Sequence, residues 1–443
     1  MPNEITNLEK IQIARQHAND LRKEKKYEEA LAAFEKLQQH YPDQVDKWDL
    51  WGKAFCLKHQ KKYKEALDIC RNVWEKDHAF VQNNSLYAWC IYFTEIALPQ
   101  VRDEIKYLHA GEGILRLSAQ EDKYSPYTIT VLKILDYLNN KNLYPTDKIL
   151  EWTTKLHPDQ LETEAFVIRS NDGKERELAS QKEKYYMWRT KALLEKEMYE
   201  ECIQLCKDGL EKLDKFHYSN DVWFARRISL SHKAMGQTQV ALNELHEILK
   251  KKKEWFIQME IAQIYHELAR PQDALMYAVE ACLSFGDMEY KMNLFLLMAV
   301  LLSEKQMMNE AKKHLELIYQ IKREKNWRIN QEFQQWIDRY QIDVNIVTPP
   351  KQIFNELKQL WNKLKFGDQP LLKGHIKAMN PNGKTGFVEL PDKKSYFFRV
   401  KSFRGKVGLL KIGFKVTFYL EDGIDPKKGT PVKNAINIKP DPK

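Results

Sequence analysis

Along most of this chain apolar residues recur three and four positions apart, the spacing of one helix face, and only near the end does the pattern change to strict alternation. Between 81 and about 180 the spacing predicts helices over 85–97, 100–120, 126–138 and 146–155. Breaks at Leu98-Pro99, Ser125-Pro126, Tyr144-Pro145 and His157-Pro158 separate them. The stretch 169–180, with Asn171-Asp172-Gly173, reads as an exposed loop. Residues 327–340 read as a capping helix whose Trp327, Ile337 and Tyr340 shield the helices before it. Thr348-Pro349-Pro350 then breaks the chain, and a short linking helix over 354–365 leads to Phe366-Gly367-Asp368-Gln369-Pro370.

From Lys373 to Phe403 the period is two. Val388 and Leu390 fall on one side of a strand, with Phe387 and Glu389 on the other. In 396–400 the same alternation gives a face carrying Phe397 and Arg399. Two neighbouring strands that each show an aromatic among lysines form a surface on which unpaired bases stack. The alternative is a small barrel whose aromatics are all core.

The helical part repeats. Ala18, Leu21, Ala30, Phe34, Leu37 and Pro42 are followed by Trp48, Trp51, Gly52, Phe55 and Ala66, with small residues where paired helices would come closest. After a blurred middle, Cys202, Ala241, Ala274 and Ala311 recur at spacings of 39, 33 and 37 residues. First-helix matches are Leu193, then Ala262 with Tyr265, then Ala299 with Leu302. This pattern resembles the tetratricopeptide repeat, which implies stacked helical hairpins and a groove for a protein partner. Arg15 and Asn19 occupy positions that clamp a terminal carboxylate in the chaperone-binding members of that family. Leu50 and Lys53 in the second repeat leave such a clamp incomplete, so a solvated groove face is the reading here.

The final stretch resembles a cold-shock domain from Leu372 to Ile438. The opening G-x-V-K-W-F-N falls on Gly374-His375-Ile376-Lys377-Ala378-Met379-Asn380. The two nucleic-acid motifs fall on 383–388, Gly-Lys-Thr-Gly-Phe-Val, and on 396–400, Tyr-Phe-Phe-Arg-Val. The closing pattern falls on Gly413, Val416, Phe418, Gly429, Ala435, Asn437 and Ile438. The resemblance implies a five-stranded OB-type barrel that binds single-stranded RNA or DNA. Ala378 stands in place of the family's stacking tryptophan, Thr385 in place of a phenylalanine and Arg399 in place of a histidine. Phe387 and Phe397 remain as stacking rings, and a guanidinium plane at Arg399 also stacks on bases and pairs with phosphate. The site residues expected to hold nucleic acid are Lys377, Lys384, Phe387, Phe397, Arg399 and Lys401.

Charge sharpens this picture. Residues 366–443 carry 16 Lys/Arg against 7 Asp/Glu, while 1–365 carry 55 of each sign, so the whole excess of +9 lies on the tail. A polyanion-binding module on a neutral scaffold has this distribution; lysines kept for solubility are the plainer account. Nine of the 16 glycines also lie in 366–443, as a separate β-rich domain requires. The six cysteines show no C-x-x-C spacing and sit in apolar helical stretches, which reads as buried thiols in a reducing compartment. MPNEITNLEK has no signal-peptide layout, and the most apolar run, 293–303, is too short to span a bilayer.

Catalytic motifs are wanting. Asn382-Gly383-Lys384-Thr385 mimics the end of a phosphate loop, but Ala378 replaces the first glycine and a strand follows. Cys202 and Cys206 lack partners at ligand spacing, and His266-Glu267 continues to Arg270 where a zinc motif needs histidine. We therefore expect a mainly α protein, a tetratricopeptide-type solenoid followed by an OB-type barrel. Its expected divisions are N-terminal repeats at 8–82, diverged helical repeats at 83–182, repeats with a capping helix at 183–342, a linker with a short helix at 343–370, and the barrel at 371–440. The expected role is a cytoplasmic, non-enzymatic adaptor without metal or cofactor and without a membrane. It joins single-stranded nucleic acid, RNA before DNA, to a protein partner on the solenoid's concave face; Arg189, Arg226, Gln258 and Gln263 are the polar residues expected there. The alternatives are a protein scaffold whose barrel no longer stacks bases and a non-catalytic subunit of a nucleic-acid-processing complex.

Overall fold

The computed structural model describes residues 6–169, 173, 175–367, 369–424 and 429–441, in two compact units, 1–248 and 249–443. The first unit is built from helical hairpins. It begins with α1 (Asn7–Lys23), α2 (Tyr27–His40), α3 (Lys47–His59) and α4 (Tyr63–Lys76). There follow α5 (Val81–Ile91), α6 (Glu104–Leu117), α7 (Tyr127–Asn139) and α8 (Thr146–Thr154). A short antiparallel pair, β1 (Phe166–Arg169) and β2 (Glu175–Leu178), precedes α9 (Gln181–Glu195) and α10 (Tyr199–Lys212). The unit closes with α11 (Asn220–Ala234) and α12 (Thr238–Lys251).

The stretch expected to be an exposed loop at 169–180 is thus partly this hairpin, paired from Phe166↔Leu178 to Arg169↔Glu175; Asn171 and Asp172 lie outside the described residues. Its strands are four residues long and mostly exposed, so they carry no apolar alternation to read. The four helices expected between 85 and 155 match α5–α8 to within a few residues, α5 continuing as a π-helical turn, Tyr92–Ile96.

The second unit holds four more repeat helices, α13 (Trp255–Glu267), α14 (Pro271–Leu283), α15 (Met292–Glu304) and α16 (Met308–Glu324). It continues with α17 (Gln331–Arg339), α18 (Pro350–Phe366) and the barrel. The barrel strands are β3 (Leu372–Met379), β4 (Thr385–Glu389), β5 (Ser395–Arg399), β6 (Lys415–Ile424) and β7 (Pro431–Pro440). They close in the order β3-β4-β5-β7-β6, all antiparallel except β5 with β7, which is the five-stranded OB-type arrangement.

The repeat character is written in the turns. In six hairpins the residue two before the second helix is left-handed: Lys25, Lys61, Glu197, Gly236, Ala269 and Gln306, at φ 54° to 79°. The next N–H returns to a carbonyl five residues back, as in Lys26 to Leu21 (3.0 Å), Met198 to Leu193 (2.9 Å) and Met307 to Leu302 (2.9 Å). This closure satisfies the last carbonyls of the first helix and turns the chain back along it. The small residues fill the closest approaches: Ala18, Ala30, Ala66, Cys202, Ala241, Ala274 and Ala311 are all fully buried. At Gly52 a Cβ would stand 2.5 Å from Cζ of Phe34, so no larger residue fits there without repacking. All six cysteines are buried free thiols.

Two expectations change in the second unit. Trp327 is 42% exposed and no part of the buried core; Phe333, Ile337 and Tyr340 are the buried residues of the α17 segment. The cause is the cap of α16, where left-handed Asn326 lets the Trp327 N–H bond back to Lys322 O and carries the side chain outward. The helix expected as a short linker runs 17 residues, with Pro350 at its first position, and packs against α14 and α16. Its Ile353, Leu357, Trp361 and Phe366 are buried, so it belongs to the core rather than to a tether. Among the described residues no helix is long and apolar enough to cross a membrane.

Candidate nucleic-acid interface

The barrel encloses Ile376, Val388, Phe398, Phe403, Val416, Phe418, Ala435 and Ile438. Burying Val388 and Phe398 fixes the pleat and leaves Phe387 and Phe397 on the outer face. These two are register partners between β4 and β5, and their rings meet edge to face at 5.8 Å and 72°. Phe387 is 36% exposed and Phe397 half-buried. On β3 the residue paired with Phe387 is Ala378, a small neighbour to the ring. Gly386 is a requirement of the same sheet, since a Cβ there would lie 2.6 Å from the Ala378 carbonyl oxygen.

The cations divide into two sets. Arg399, paired with Thr385, and the nearby Lys384 and Lys401 are exposed, and among the described residues none has an acidic partner. Lys384 is carried on a built turn: Gly383 is left-handed at φ 64°, and Asn382 Oδ1 accepts from the Lys384 N–H (2.9 Å) and from the Thr385 hydroxyl (3.2 Å). The Lys384 carbonyl accepts from the Val400 N–H at 2.9 Å, which brings the turn to the end of β5.

Lys377 is different. It occupies the bulge where the β3–β4 register shifts, and its ammonium lies 2.5 Å from Glu389 Oε2 and donates to Ser395 Oγ at 2.9 Å. Ser395 in turn donates to Glu389 at 3.1 Å. The Lys377 hydrogen bond, with lesser help from Ser395 and His375, holds the Glu389 carboxyl below its ordinary range. The six expected residues therefore lie on β3, β4 and β5 or directly beside them, but of the four cations three have no acidic partner among the described residues and Lys377 is already neutralised. The alternation that put Glu389 on the Phe387 face gave no sign of its partner; it is the antiparallel pairing of β3 with β4 that brings it beside Lys377.

The groove residues expected on the repeats fare unevenly. Gln258 is only 3% exposed, accepts from the Ser284 hydroxyl at 2.8 Å and donates to Glu280 at 3.3 Å, so it is an internal bridge and no groove residue. Arg189 is half-buried and donates to Thr153 Oγ1 (2.9 Å), Arg226 lies over the Trp223 ring, and Gln263 is half-buried. Arg15 is bound bidentately to buried Asp49 at 2.7 and 2.6 Å, and Asn19 donates to the Arg15 carbonyl, which leaves no carboxylate clamp.

The family model named Domain of unknown function (DUF7017) matches residues 222–359, short of half the chain and ending before the barrel. No curated protein matches the chain. Among solved structures it is similar to a tetratricopeptide repeat protein from Parabacteroides merdae ATCC 43184, at 11% identity over 80% of this chain and 98% of that one, TM-score 0.27. It is similar to Naa15/Naa10 bound to HypK-THB at 12% identity over 80% of this chain and 50% of that one, TM-score 0.42. The human IFIT1 dimer with m7Gppp-AAAA gives 14% identity over 80% and 88%, TM-score 0.34. These are loose likenesses, and no ligand or partner passes from them to this chain.

Proposed function

We propose that the chain is an adaptor whose barrel binds single-stranded nucleic acid and whose helical repeats hold a protein partner. The observation that carries the first half is the in-register pair Phe387 and Phe397 on the outer face, edged by Arg399, Lys384 and Lys401 without acidic partners among the described residues. One exposed and one half-buried ring beside unpaired cations offer stacking and phosphate contact together. The confinement of the basic excess to 366–443 supports the same reading. On the repeats, the near-neutral surface and half-buried Arg189, Arg226 and Gln263 suit a peptide or helix better than a polyanion.

The test uses the full chain and a fluorescent oligothymidylate, read by anisotropy at low salt. Phe387→Ala and Phe397→Ala each weaken binding by ~1–3 kcal/mol, whereas Lys384→Ala and Lys401→Ala flatten the salt dependence. Folded Phe variants that bind as tightly as the parent chain would refute base stacking. That result favours the scaffold reading, which Ala378, Thr385 and the Lys377–Glu389 pair also support.

A further inference from the structure

Within the second unit the barrel meets the helices along β6, β7 and α18, and three cations gather at this seam. Lys358 precedes Asn362 by one turn of α18, and the Asn362 amide donates to the Lys358 carbonyl at 2.5 Å. Asn362 Oδ1 accepts from Asn437 Nδ2 on β7 at 2.8 Å, which locks that turn to the strand. Ile438 faces the barrel interior, so Lys439 beside it faces out. Arg404 is pinned next to Lys439, because its N–H donates to the Ile438 carbonyl at 2.8 Å.

Burial pushes the ammonium groups of Lys358 and Lys439 down, and the neighbouring positive charges push them further: Arg404 on Lys358, and both Lys358 and Arg404 on Lys439. Among the described residues none of the three has an acidic partner. Like charges, two of them half-buried, held together by a hydrogen-bonded joint destabilise the unliganded protein and are relieved by an anion. The seam is also continuous with the barrel face. Arg399 ends β5, exposed Lys401 follows in a 3₁₀ turn, and Phe403, bridged to Ile438, delivers the chain to Arg404.

We propose that Lys358, Arg404 and Lys439 bind phosphodiester groups, so that a single strand leaving the aromatic face continues across the seam onto α18. The inference rests on the barrel reading given above. It makes a helix of the repeat unit part of the nucleic-acid site and predicts a footprint longer than the barrel alone provides. A phosphate ligand is favoured over an acidic peptide because the cations continue the path that starts at the aromatic face of Phe387 and Phe397.

The experiment is anisotropy on the full chain with oligothymidylates from about 4 to about 16 nucleotides, the range over which OB-type sites differ. Lys358→Glu should leave the shortest oligomer unaffected and weaken the longest about tenfold, with the salt slope reduced by ~0.7 for each phosphate no longer neutralised. Because the new carboxylate would sit beside Arg404 and Lys439, the variant should melt no lower than the parent chain; Lys358→Gln serves if it does. Equal weakening at all lengths, or none, overturns the seam site. So does an oligoglutamate that competes as well as the long oligomer at matched charge, which would assign the seam to an acidic protein segment. Phe387→Ala run in parallel separates the two ideas: without effect at any length, it removes the barrel reading. If it weakens every length while Lys358→Glu is silent, only the seam falls.

Discussion

Asn437 on β7 donates a 2.8 Å hydrogen bond to Asn362 on α18, with both side chains buried, while its own backbone is left-handed at φ 48°. One residue thus meets two demands, since asparagine tolerates that conformation and also supplies the amide. Phe366, the last residue of α18, stacks on Tyr419 of β6 at 4.1 Å and 5°, which extends the same joint. The barrel is seated on its helix, and a fragment beginning at 366 would discard Asn362. Asn437→Ala should cost about 1–3 kcal/mol for the stranded partner and roughly 1–2 kcal/mol more for the left-handed backbone. Asn437→Gly should cost only the first part. Urea unfolding of the two variants decides it, and equal destabilisation would contradict the backbone contribution.

A second joint is titratable. His314 Nδ1 donates to the Glu310 carbonyl at 2.7 Å, and its Nε2 accepts from Trp361 Nε1–H at 2.8 Å, so the ring is held neutral. Trp361 lies parallel to Phe295 at 5.9 Å, and burial pushes the imidazole pKa down to about 4. A folded pKa below the unfolded value means that the unfolded chain binds the proton more readily. Stability is therefore full above about pH 6.5 and declines as pH falls from there toward about 4, by on the order of 3 kcal/mol from this residue. Unfolding free energies across that window should show the decline, and His314→Gln should flatten it. An unchanged slope in that variant would place the acid sensitivity elsewhere.

Two helical glycines should respond in opposite directions to alanine. At Gly52 the added Cβ would lie 2.5 Å from the Phe34 ring, so Gly52→Ala should destabilise by about 1–3 kcal/mol despite the better helix propensity. At Gly113, in α6, the nearest atom is the end of a flexible side chain, Arg116, at 4.0 Å. Gly113→Ala should stabilise by up to about 1 kcal/mol. Thermal unfolding of both variants measures the contrast; a stable Gly52→Ala would mean that Phe34 repacks freely.

What the chain disclosed in advance follows from how local each cause was. Ala30, Ala66, Ala241 and Ala274 were legible because close helix approach demands small side chains at a fixed period. The barrel strands were legible because burying Val388 and Phe398 enforces alternation. The rest depends on partners distant in sequence. Gln258 resembles a groove residue until Ser284 and Glu280 are placed beside it. Trp361 resembles a linker aromatic until His314, 47 residues earlier, is brought to its indole N–H. Lys377 resembles a free phosphate ligand until β4 and β5 deliver Glu389 and Ser395. Polar pairings of this kind leave no period in the sequence.

The Lys377–Glu389 pair also gives the sharpest check on how the barrel uses charge. Lys377 stands on the bulge next to Ala378, which pairs with Phe387, so its ammonium is near the stacking rings but neutralised. Since that hydrogen bond holds Glu389 below the ordinary carboxylate range, mild acid leaves the pair intact and a substitution is needed to open it. Glu389→Gln removes the negative charge and keeps an acceptor for Ser395. If Lys377 then reaches phosphate, affinity for an oligothymidylate rises severalfold at low salt, and the salt dependence steepens by ~0.7, the value of one single-strand phosphate neutralised. Lys377→Ala in the parent chain should have little effect, and in the Glu389→Gln background it should erase the gain. Anisotropy titrations of the four proteins at two salt concentrations give the comparison. Were Glu389→Gln to bind no better than the parent, Lys377 would have no part in the interface, and its place there would pass to Arg399 and Lys401.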